Sequence, residues 1–180
     1  MKGILFVEFL DLAEKKYGLA VVQEIIDNSN LDSKGIYTAV GTYNHREFFQ
    51  ILDHVADIES RHRDDVLESF GEHFLLVLSR NYPDFFNKNE VFEFLRSIDD
   101  YIHPTVLKLY PDAQLPSFDS EIVGQHKMKL IYKSSRKMAR FAKGLIAACG
   151  EYFGDKLSVE LRQIDDDGAE VEITIMKDEQ

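Results

Sequence analysis

Six histidines are the side chains most able to bind a metal in this sequence: His45, His54, His62, His73, His103 and His126. No two have the close helical spacing of a metal-protease pair, and there is no cysteine cluster. His103 differs in its setting. It closes an apolar helical stretch, directly precedes Pro104, and lies upstream of Pro111 and Pro116. A helix end that delivers one imidazole beside an apolar pocket is a common way to hold haem. A structural histidine with a local partner is the other reading of the same residues.

A second group stands at Tyr132-Lys133-Ser134-Ser135-Arg136. If this segment is a strand, period 2 sets Tyr132, Ser134 and Arg136 on one face. Two hydroxyls and a guanidinium in a row suit an anion with several carboxylate or phosphate oxygens. An exposed polar sheet edge is the alternative.

Apolar periodicity supplies the elements that must position these groups. Residues 3–17 read as a helix through Leu5, Phe9 and Leu12, and 19–28 as a second. Gly35, Gly41 and Asn44 punctuate a loop before helices over 45–57 and 60–80, the latter striped by Val66, Phe70, Phe74 and Leu78. Residues 89–103 continue the helical pattern, and Pro104 either kinks this helix or opens a new one. The prolines of 111–117 predict an extended or turning connector. Alternation over 127–134 predicts a strand, 137–153 a helix striped by Met138, Phe141, Leu145 and Cys149, and 156–164 with 169–176 two strands. Asp167-Gly168 signals the hairpin between those two. The same acidic run lacks the ligand spacing of a calcium loop. The fold class is α+β: one domain over 1–180, with a helical N-terminal lobe and a C-terminal lobe of antiparallel sheet and helices.

A formal net charge of -11 disfavours nucleic acid and anionic membrane as partners. The basic residues between Lys127 and Lys143 read as a solvated face. One cysteine, Cys149, allows no disulfide within the chain and fits a reducing compartment. Glu8 and Asp11 break the N-terminal apolar run, so no signal peptide or membrane span is expected. The expected location is cytoplasmic.

The sequence resembles the heme-nitric oxide/oxygen-binding (H-NOX) family over essentially its whole length. MKGILFVEFLDLAEKKYG resembles the family's first helix, IHPTVLKLYPDAQLPSF its proximal helix and proline loop, and YKSSR its Y-x-S-x-R motif. The resemblance implies a haem-based gas sensor with haem b buried between the lobes, and not an enzyme. His103 would be the axial iron ligand, and Tyr132, Ser134 and Arg136 would bind the haem propionates. Pro116 would press on and distort the porphyrin, and Leu5 would touch it. Leu5, Phe9, Phe74, Leu78, Phe141 and Leu145 would line the distal side, and each also reads as ordinary core.

Phe141 stands where some members carry a tyrosine that hydrogen-bonds oxygen. The resemblance therefore favours nitric oxide, with CO as a further ligand, over O2. NO would break the iron–His103 bond and shift the conformation, with Asp99, Asp100 and Tyr101 placed to pass the shift on. Family precedent implies output in trans, to a histidine kinase or a diguanylate cyclase/phosphodiesterase. The competing readings are an O2 sensor of the same family, a peroxidase-like haem enzyme, and a haem-free interaction module.

Overall fold

A computed structural model describes residues 1–178. The element order is α1 (Gly3–Tyr17), α2 (Leu19–Asn28), α3 (His45–Glu59), α4 (Arg63–Asn81), α5 (Val91–Ser97), α6 (His103–Leu109), β1 (Ser117–Gly124), β2 (Lys127–Lys133), α7 (Ala139–Phe153), β3 (Leu157–Gln163) and β4 (Glu170–Lys177). The mixed fold has one antiparallel sheet, as the α+β class requires. No described helix is long and apolar enough to cross a membrane. The chain divides into two compact units, Met1–Val66 with Asp112–Gln114, and Leu67–Pro111 with the residues from Leu115 onward.

The first unit is helical. Asn44 caps α3 by accepting the Arg46 backbone N–H at 3.1 Å, which starts the helix at His45. The buried stripe of α1 runs through Phe6, Phe9 and Ala13, and Leu5 and Leu12 are only half-buried. The stripe is thus rotated by one residue from the expected one. Phe6 is fully enclosed because Tyr37 stacks on it at 4.3 Å and Phe48 meets it edge-on at 5.6 Å. The loop that carries Tyr37 is held to α3 by buried Glu47, which accepts from Tyr37 Oη at 2.8 Å and from the Ser33 hydroxyl.

The second unit packs helices on one face of the sheet. Strand order is β1-β2-β4-β3, all antiparallel. Met128, Leu130 and Tyr132 of β2 alternate inward beside Ile175, Ile173 and Val171 of β4, their cross-strand partners. Phe92, Leu95, Ala142, Ile146 and Cys149 belong to the same cluster. Burial pushes the Cys149 thiol pKa well up.

One expectation needs correction, and one element was not foreseen. β1 follows the connector read over 111–117, in residues that suggested no element, because an edge strand exposed along nearly its whole length carries no hydrophobic alternation. The helix read over 89–103 is α5 followed by a π turn at Ile98–Ile102, and α6 starts at His103. The basic stretch is a solvent-facing one whose charges are paired. Lys129 pairs with Glu172, Lys133 with Asp119 and Lys137 with Asp167, and both Arg140 and Lys143 pair with Glu68.

Candidate functional site

The π turn sets the aim of His103. The His103 backbone N–H bonds to the Ile98 carbonyl, five residues back. That extra residue rotates the chain beyond it by roughly 100° relative to a continuous α-helix. It also answers the problem of Pro104, whose ring would collide with the carbonyl four residues earlier in an unbroken α-helix. Pro104 instead falls in the first turn of α6, where proline is tolerated.

Asp99 lies inside the π turn, four residues before His103. Its Oδ1 is 2.6 Å from His103 Nδ1, and its Oδ2 accepts the backbone N–H of Phe118 in β1. The His103 side chain is 18 % exposed. Burial lowers its pKa, and the Asp99 carboxylate only partly opposes this. With the Asp99 carboxylate as acceptor, the tautomer protonated at Nδ1 is the one this contact favours, and it leaves Nε2 as the ligating atom. Among the described residues, no three His, Cys, Asp or Glu side chains gather to hold a metal ion.

An aromatic path continues from His103. Its ring centroid is 6.0 Å from that of Phe118, and Phe118 is 5.6 Å from Tyr132. Tyr132 is buried, and its Oη accepts the Met138 backbone N–H at 3.0 Å. Burial raises the phenol pKa, against the Ser134 hydroxyl, the Met138 N–H and the charge of Arg136. Ser134 Oγ accepts the Arg136 backbone N–H at 3.2 Å. Burial lowers the Arg136 pKa, with Tyr132 acting in the other direction.

The structure thus brings Tyr132, Ser134 and Arg136 together, though not along a strand face. β2 ends at Lys133, and the two residues beyond it lie in the turn that leads to α7. Lys137, in the left-handed region at φ 54°, completes that turn. Pro116 is half-buried and directly precedes β1.

The apolar candidates fall in both units. Phe74 of α4 and Phe141 of α7 are 5.7 Å apart, and Phe70 touches both, at 5.6 and 5.4 Å. Two glycines allow this approach. A Cβ on Gly144 would lie 1.9 Å from the Glu68 carbonyl oxygen, and one on Gly71 2.3 Å from that of Phe141. Leu78 and Leu145 are half-buried against the core of the second unit. In the first unit, Phe9 is buried against Phe48 at 5.2 Å and Leu5 is half-buried on α1.

Sequence reasoning placed Asp99 near the ligand without giving it a bond. Its spacing of four from His103 on a helical segment was the available signal. Phe118 was missed, because the strand that carries it was missed.

Comparisons with known proteins place the whole chain. The family model described as "Haem-NO-binding" matches residues 2–161. An H-NOX protein from K. algicida, solved as unliganded Fe(II), is 41% identical with a TM-score of 0.94, covering 100% of this chain and 98% of that one. The H-NOX protein from Shewanella woodyi, solved in the Fe(II)CO state with IWP-051 bound, is 31% identical with a TM-score of 0.84. That match covers 99% of this chain and 95% of the other. One from S. oneidensis, at 24% identity and a TM-score of 0.91, covers 99% of this chain and 100% of its own and shares the fold. No curated protein matches the chain.

Proposed function

Because the chain belongs to the H-NOX family of haem-binding gas-sensor domains, we propose that it is a nitric oxide sensor that holds haem b through His103. The observation that carries this reading is the bond from His103 Nδ1 to Asp99 at 2.6 Å, which leaves the lone pair of the other ring nitrogen for a metal. The donor set fits the group: one neutral imidazole for the iron, and two hydroxyls with a guanidinium for the propionates. Held by His103, haem would supply an iron able to take a diatomic gas.

The chain's own residues do the rest. Tyr132, Ser134 and Arg136 would anchor the propionate edge, and Pro116 would press on the ring. Phe74, Leu78, Phe141 and Leu145, in the same unit as His103, would exclude water from the gas side. Oxygen needs a hydrogen-bond donor in its pocket, and Phe74 and Phe141 offer none. The apolar wall therefore favours NO and CO over O2, and it provides no acid–base group for peroxidase chemistry. Release of His103 would free the imidazole and α6 to move, and NO would bias such a two-state change only by its preference for the released form. We read residues 1–180 as one sensor domain whose output is a separate histidine kinase or diguanylate cyclase/phosphodiesterase, bound in the cytoplasm.

The test is an absorption spectrum of the purified, reduced protein in argon, after NO and in air. A five-coordinate ferrous spectrum that becomes five-coordinate nitrosyl, with no oxy spectrum in air, supports the reading. His103→Ala should lose the five-coordinate ferrous form until free imidazole restores it. A colourless protein that takes up no haem would sink the sensor function, and a stable oxy spectrum would sink the NO preference.

A further inference from the structure

We propose that Asp99 is a positioning residue that couples the state of the His103 imidazole to the edge strand β1; this rests on His103 being the haem ligand. One carboxylate serves two donors. Oδ1 takes the His103 Nδ1 proton at 2.6 Å, and Oδ2 takes the backbone N–H of Phe118. The Phe118 ring also lies against His103, at 6.0 Å. The side chain that fixes the ligand's orientation is therefore the one that fixes the start of β1.

The surroundings make this a lever and not a passive contact. Asp99 sits in the π turn, a geometry that can return to α by displacing one residue. β1 has a neighbour on one side only, β2, so its free edge opposes movement least. An imidazole that leaves the iron pulls on Asp99 or lets go of it, and in either case the bond to Phe118 changes. Asp99 also acts in the other direction. An anionic acceptor on Nδ1 makes Nε2 a stronger donor to iron, so it resists release.

Asp99→Asn is the discriminating change. The amide keeps the shape but offers one acceptor where two donors need one each. In the reduced, unliganded protein, the iron–histidine stretching band in resonance Raman should move to lower frequency. The Phe118 amide should exchange with deuterium about tenfold faster or more, as expected for loss of a bond to a charged group. In the unsubstituted protein, NO should speed exchange at Phe118, and in Asp99→Asn it should add little. A coloured protein in which Asp99→Asn leaves both the Raman band and Phe118 exchange unchanged would overturn the coupling while His103 remains the ligand. If Asp99→Asn does not fold, unchanged Phe118 exchange on adding NO to the unsubstituted protein would overturn it equally. A colourless protein would overturn the coupling and the haem reading together.

Discussion

Gly144→Ala tests how closely α4 and α7 must approach. The added methyl would lie 1.9 Å from the Glu68 carbonyl oxygen, about 1.5 Å inside the 3.4 Å at which ordinary contact begins. The obstacle is backbone, with the Glu72 amide nitrogen also 3.0 Å away, so no side-chain rotation relieves it. The helices must part, and Phe141 then draws back from Phe70 and Phe74. Overpacking of this kind costs about 1–3 kcal/mol, and more where backbone must move. Alanine returns up to about 1 kcal/mol through its better helix propensity.

A net loss of about 2 kcal/mol should lower the midpoint of thermal unfolding by about 4–8 °C in a protein of this size. The assay is circular dichroism of the haem-loaded protein, with Gly124→Ala as the control. A Cβ at Gly124 meets nothing within 4 Å, so that variant should stay within about 0.5 kcal/mol. Gly144→Ala melting with or above the unsubstituted protein would refute the argument that this crossing requires glycine.

Three further outcomes are expected from the same structure. Tyr132→Phe leaves the Met138 N–H without its partner in a buried place, and urea titration should register a loss of about 1–3 kcal/mol. Arg136→Ala should speed haem transfer to an acceptor such as apomyoglobin, since it removes the charge proposed to hold a propionate; an unchanged rate would count against that role. Burial alone would raise the Glu59 pKa, but hydrogen bonds from Lys16, Tyr17 and Arg61 hold it down at about 2. A depressed carboxylate adds stability that is full above its unfolded value of 4.5 and lost as pH falls toward about 2. Glu59→Gln should therefore remove part of the acid sensitivity in that window, and acid titration of unfolding is the measurement.

What the sequence disclosed depends on which forces leave a local trace. The inward row Met128, Leu130 and Tyr132 was legible because one face of β2 is buried and the other is not. β1 was not, because Ser117–Gly124 is held by backbone pairing on an exposed edge and leaves no pattern of side chains. Pro104 announced a break, and of the two outcomes proline chemistry allows, a kink or a fresh helix, the chain takes the second; the π turn that leads into it left no trace of its own. Y-x-S-x-R was read along a strand face, and nothing in the motif says that the strand stops at Lys133. On α1, Phe6 and Leu5 are equally apolar, and only the ring of Tyr37, far along the chain, decides which is enclosed. The ion-pair partners of the lysines of 129–143 were not legible, because Glu68, Asp119, Asp167 and Glu172 lie outside any local window.

The depth of Cys149 has a practical consequence. The chain's one cysteine is 2 % exposed, and burial raises its thiol pKa, so both access and ionisation disfavour attack on maleimides and methanethiosulfonates. The native chain is therefore a blank background for site-directed spin labels. Asp57→Cys on α3 and Glu160→Cys on β3 put one exposed attachment point in each compact unit without touching the native cysteine. Pulsed dipolar spectroscopy on that pair, with and without NO, would read any displacement of the units as a change in a single distance distribution.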